Sequence, residues 1–96
     1  MHRSFTLLDR YEIEKSILGI LKDQFEISDP GMDDDLREKY KFDSIDGIEL
    51  LAEVEQLLGF EIDQEIKKQA LEIRTVRQIV DWVEKVQSDN PQSDNP

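Results

Sequence analysis

Phe42-Asp43-Ser44-Ile45-Asp46-Gly47-Ile48-Glu49-Leu50-Leu51 is the stretch on which the reading of this chain turns. Asp43 suits the start of a helix, because its carboxylate can accept from the free backbone N–H groups of a first turn. Apolar residues follow at helical spacing as far as Leu58, and Gly59 is a natural stop, so the pattern predicts a helix over 44–58. At ~100° per residue that helix carries two apolar arcs. Leu50, Leu51, Val54, Leu57 and Leu58 form a broad arc suited to a core. Ile45, Ile48 and Ala52 form a second, with Asp46, Glu49 and Glu53 beside it and Glu55 on its other side. A surface helix needs one apolar stripe. The second is expected to be a docking strip, since acidic neighbours argue against burial.

Two further segments have helical periodicity. Ile13, Ile17, Ile20, Leu21 and Phe25 recur at spacings of three and four, predicting a helix over roughly 8–25 with Ser4 or Thr6 as its cap. Val76, Ile79, Val80, Val83 and Val86 make the apolar face of a last helix, which Thr75 and Gln78 open as a capping box. Valine is a weak helix former, so packing must hold that helix. A short helical piece is expected between Asp63 and Leu71. Residues 26–43 read as a long loop, with a turn at Asp29-Pro30-Gly31 and an acidic run at Asp33-Asp34-Asp35. Leu36, Tyr40 and Phe42 can pin it to the core, and Leu36 to Tyr40 can close a single helical turn. No strand-like alternation is sustained. The fold class expected is all-α, a four-helix bundle with one long connection.

Composition narrows the function. Ninety-six residues support one domain with a modest core. There is no cysteine, and His2 is the sole histidine, which excludes disulfides, zinc–thiolate sites and histidine clusters. The net charge of −11, from 23 acidic and 12 basic residues, repels nucleic acid and anionic membranes. It attracts partners with basic patches. From Asp43 to Glu65 there are eight acidic residues and no Lys or Arg. No apolar run approaches the ~18 residues of a membrane helix, and no signal-peptide pattern opens the chain. A cytoplasmic protein is expected. Residues 87–91 and 92–96 repeat Gln-Ser-Asp-Asn-Pro, so 88–96 is expected to be a disordered polar tail behind a domain at 5–87.

Ser44 sits at the loop–helix junction. Asp43 can cap the helix alone, which leaves the Ser44 hydroxyl without a structural task. No base adjoins it: there is no histidine, and Asp43 and Asp46 are too weakly basic at neutral pH. Ser44 therefore cannot act as a self-sufficient nucleophile. A helix N-terminus does offer N–H groups and partial positive charge to a phosphate.

The order of these features, from Glu12 to Val86, resembles the acyl carrier protein family. Asp43-Ser44-Ile45 matches the signature that opens its second helix, and Glu61-Ile62 and Thr75-Val76 fall in the family's order. The resemblance implies a four-helix bundle with a long first loop and a short third helix. It implies a 4′-phosphopantetheine arm on Ser44, transferred from coenzyme A by a separate phosphopantetheinyl transferase, which Asp43 helps to approach. The arm's thiol would carry acyl groups as thioesters for synthase and acyl-transferring enzymes of fatty acid, lipid or polyketide-type biosynthesis. Ile45, Asp46, Ile48, Glu49, Ala52 and Glu53 would form the docking strip. The protein would then be a monomeric carrier and not an enzyme, with no bound metal.

Some positions depart from the family pattern. Ile45 replaces leucine, Lys41-Phe42 replaces Gly-Ala or Gly-Gly, Gly47 weakens its helix by roughly 1 kcal/mol against alanine, and Glu53 stands where a small apolar residue is common. An aminoacyl or peptidyl carrier is one alternative, and an unmodified helical interaction module is another. The acidic loop lacks the alternating ligands and closing glutamate of a calcium-binding EF-hand.

Overall fold

The computed structural model describes residues 8–89. Of the tail expected at 88–96, Ser88 and Asp89 are instead the last residues of the final helix, and Asn90 onward lies outside the described residues. Five helices occur among them: α1 (Arg10–Phe25), α2 (Leu36–Tyr40), α3 (Ser44–Leu58), α4 (Gln64–Ala70) and α5 (Val76–Asp89). The all-α class stands, but the expected count of four is corrected by α2. The Asp35 carboxylate accepts from the N–H groups of Arg37 and Glu38 at 2.9 and 3.1 Å. Leu36 is buried, and its N–H bonds the Arg74 carbonyl at 2.7 Å. One cap and one anchored leucine thus make a helix of five residues, too short to show periodicity.

α1 begins two residues later than expected. Its cap is Asp9, which forms a capping box with Glu12, while Ser4 and Thr6 lie outside the described residues. α5 opens as anticipated: the Thr75 hydroxyl accepts from the Gln78 N–H, and the Gln78 side chain accepts from the Thr75 N–H. Each box satisfies terminal N–H groups that would otherwise have no partner inside the helix.

The core is a single cluster. Ile13, Ile17 and Leu21 of α1 meet Leu50, Leu51 and Val54 of α3 and the Val76–Val86 face of α5. α1 packs most extensively on α5 and also on α3, while α4 touches α3 and α5 and has no buried residue of its own. Phe42 is buried with its ring edge-on to Phe25, the centroids 5.2 Å apart. The family's small residue at that position is therefore replaced here by a core side chain. Lys41 ends α2 in the left-handed conformation with φ 59°, which glycine adopts without the steric cost that a side chain brings.

The connection between α1 and α2 is tied down at several points. Arg77 makes two hydrogen bonds to the Asp33 carboxylate, at 2.8 and 3.1 Å, and donates its backbone N–H to the Met32 carbonyl. Asp34 accepts from the Gly31 N–H and pairs with Lys39. The three consecutive aspartates are thus each committed locally. Among the described residues, no group of three or more acidic or histidine side chains could hold a metal ion. At the other end, Arg10 reaches across to Asp81 and Glu84 of α5. Gln87, first residue of the sequence repeat, is buried and exchanges two hydrogen bonds with the backbone of Leu8.

Candidate functional site at the start of α3

The start of α3 is built around the Asp43 side chain. Its Oδ1 accepts from the N–H groups of Ile45 and Asp46, both at 3.0 Å. Asp46 returns the contact by accepting from the Asp43 N–H at 3.2 Å. Asp43 and Ser44 are exposed. Cap and hydroxyl are therefore separate functions, because Asp43 completes the turn and leaves Ser44 Oγ at the surface. One expectation changes. The N–H groups of Ile45 and Asp46 are already taken by Asp43, so a phosphate on Ser44 gains from the helix dipole more than from free donors.

Beside Ser44 a narrow cleft enters the protein. Its walls include Asp43, Ser44 and Gly47 at the mouth, Leu50, Leu51 and Val54 along α3, and Ile79 and Trp82 of α5. Its volume is about 20 Å³, room for about one water molecule. A Cβ at Gly47 would meet nothing within 4 Å, so packing does not demand glycine there. Arg37 also lines the cleft, and its Nη2 donates to the Leu71 carbonyl, bridging α2 to the residues after α4. Trp82 is 8% exposed, and among the described residues nothing accepts from its indole Nε1. An unpaired buried donor of this kind costs about 1–3 kcal/mol.

The second arc of α3 faces outward. Ile45 and Ile48 are 66% and 58% exposed, Ala52 and Glu49 are exposed, and Glu53 and Asp46 are half-buried. Asp46 is partly occupied as the cap's partner. A shallow groove of about 400 Å³ runs along Ile48 and Ala52 between α3 and α4, and Lys67 and Lys68 line its far side. The strip is thus acidic along one edge and basic along the other, a contrast that reading α3 alone did not reveal.

Glu55, on the far flank of that strip, has a structural task. Its Oε2 accepts from the Ile62 N–H at 2.7 Å and from Lys67 at 3.1 Å, and its side chain is 20% exposed. These bonds tie the connection after α3, and Lys67 of α4, to α3. The Ile62 N–H above all, and Lys67 as well, hold the Glu55 carboxyl below its ordinary value of 4.5 against the opposing effect of burial.

Residues 15–83 match the family described as a phosphopantetheine attachment site. The chain belongs to the acyl carrier protein family. An acyl carrier protein of Coprothermobacter proteolyticus is 34% identical over 79 residues, which cover 80% of this chain and 93% of the relative. No solved structure matches. The protein is a carrier that bears its groups on phosphopantetheine, a non-catalytic role, and its partners are of the modifying and transferase class that carriers serve. The residues at the start of α3 fit such a group: an exposed hydroxyl stands at a helix N-terminus, with an open glycine one turn on. Among the described residues no helix is long and apolar enough to cross a membrane.

The Glu55 contacts generate a prediction. A carboxylate whose folded pKa is depressed stabilises fully above its ordinary value and loses that contribution as pH falls through the lower folded value. Glu55→Gln keeps an acceptor for Ile62 but loses the charge. It should cost about 1–2 kcal/mol at pH 7. The gap to the wild-type carrier should begin to narrow as pH falls below 4.5, the ordinary carboxyl value, and should close only once pH is below the lower folded value, where Glu55 is protonated in the native protein too. Urea unfolding of both proteins at several pH values checks this; a gap independent of pH would refute it.

Proposed function

We propose that Ser44 is the residue that bears the phosphopantetheine arm, and that this carrier holds acyl groups for fatty acid, lipid or polyketide-type biosynthesis in the cytoplasm. The observation that carries the reading is the division of labour at the cap. Asp43 satisfies the first turn of α3, and Ser44 presents an exposed hydroxyl beside an apolar cleft. With no base beside it, Ser44 relies on a transferase. Its Oγ–phosphorus bond forms as the bond from phosphorus to the nucleotide part of coenzyme A breaks, and the proton passes to the transferase. Asp43 stands where it can help that enzyme approach. The attached thiol supplies thioester chemistry. The cleft along Leu50, Leu51 and Val54 then offers shelter to the carried chain once α4, which has no buried residue, moves aside.

The docking surface in this reading is the outward arc of α3. Ile45, Ile48 and Ala52 give apolar contact, and Glu49 and Glu53, with Asp46 partly engaged, give the charge that steers partners bearing basic patches.

Incubation with coenzyme A, magnesium and a broad-specificity transferase should add one phosphopantetheine to the intact mass, and Ser44→Ala should gain nothing. An unchanged wild-type mass with an active transferase would overturn the assignment, as would modification of the variant.

The docking reading predicts a positional effect. Glu49→Lys should weaken transferase binding several-fold at low salt, and the loss should shrink as salt screens the charges over about 10 Å at 0.1 M. Glu14→Lys, on α1, should matter much less; Glu14 pairs with Arg10 at 3.7 Å. Transferase affinity measured at two salt concentrations, with circular dichroism as the folding check, decides it. Equal losses would assign the attraction to net charge alone.

A further inference from the structure

Apart from Arg37, Asp43 and Ser44, the side chains lining the cleft beside Ser44 are apolar, and Trp82 alone among those apolar residues carries a polar hydrogen. Leu36, Leu50, Leu51, Val54, Ile73 and Ile79 could all face a saturated hydrocarbon chain without penalty. Trp82 could not. Trp82 lines the same cleft, its Nε1 is buried, and among the described residues the N–H has no acceptor. Buried donors in folded proteins are nearly always paired, so an unpaired one lining a binding cleft is open to an acceptor from a ligand that displaces water there. Phenylalanine would fill the same wall without leaving a donor unpaired.

We propose that the Trp82 N–H is the recognition element of this cleft, and that the acyl group sheltered there bears a carbonyl or hydroxyl oxygen on its chain. The inference rests on the carrier reading of Ser44 and adds the class of cargo. A saturated chain entering the cleft leaves the indole N–H as it was, unpaired. An oxygen placed along the chain closes the bond, and a site built to hydrogen-bond such a group discriminates against the analogue that lacks it. The arm itself also contains amide oxygens. It is attached at the exposed mouth, however, whereas Trp82 and Ile79 are buried on the opposite helix, so the far end of the assembly is the part that reaches them.

This chain has a single tryptophan, so one indole N–H resonance reports the contact without ambiguity. The test compares the full-length protein in four states: the arm alone, and the arm carrying hexanoyl, 3-oxohexanoyl or 5-oxohexanoyl groups of matched length. Each is loaded from the corresponding coenzyme A derivative and verified by intact mass. At least one oxo form should move the indole resonance downfield and slow its hydrogen exchange roughly three- to tenfold relative to hexanoyl, as expected for one added neutral hydrogen bond. That form should also melt at a higher temperature than the hexanoyl form, and Trp82→Phe should abolish the difference in melting.

Indistinguishable resonances and melting for hexanoyl and both oxo forms would overturn the proposal. So would the full shift with the arm alone, which would make the arm the acceptor, or a melting preference that survives Trp82→Phe. Should that variant fail to fold, the wild-type resonance comparison decides by itself. Failure to load at Ser44 would show in the mass and would sink the carrier assignment, whereas successful loading with no oxygen preference sinks this proposal alone.

Discussion

The Asp43 carboxylate bonded to the N–H groups of Ile45 and Asp46 is the contact on which the rest of the molecule depends. It starts α3 at Ser44, and the start of a helix sets the phase of every residue after it. With that phase, Leu50, Leu51 and Val54 turn into the core, and Ile45 and Ile48 turn out. The same contact releases Ser44 from capping. Had the serine been the cap, its oxygen would have been bonded to the first turn and unavailable to a transferase.

The large acidic surplus is put to two uses. Asp9, Asp35, Asp43 and Asp63 cap helices, Asp33 and Asp34 fasten the first connection, and Glu55 fastens the second. Gly31 and Lys39 hold Asp34 below the ordinary carboxylate range, and Arg77 does the same for Asp33. What remains along α3 is a smaller exposed set centred on Glu49. A count of charges cannot separate these two groups; partners can.

Much of this was legible in the sequence, for reasons that can be named. α3 and α5 each combine a strong cap with a long apolar period, and both begin where the pattern placed them. α1 was legible in its face but not in its start, because Ser4, Thr6 and Asp9 are all competent caps and only Asp9 has Glu12 three residues on. That capping box could have been found. α2 was visible as a turn but escaped the count of helices, since five residues carry no period. Phe42 looked like a departure from a family pattern, and its meaning needed the Phe25 ring. Glu55, the lysine edge of the groove and the unpaired indole of Trp82 all depend on contacts between distant segments, which a one-dimensional pattern does not contain.

The central claim is that Asp43 carries the structure of this junction and Ser44 carries none of it. Thermal or urea unfolding of Asp43→Ala and Ser44→Ala, measured side by side on the unmodified protein, tests it most directly. Asp43→Ala should lose about 0.5–2 kcal/mol through the missing cap. Ser44→Ala should be as stable as the wild type or slightly more so, since alanine is the better helix former. A loss at Ser44 equal to that at Asp43 would mean that the hydroxyl belongs to the cap, and would contradict the account.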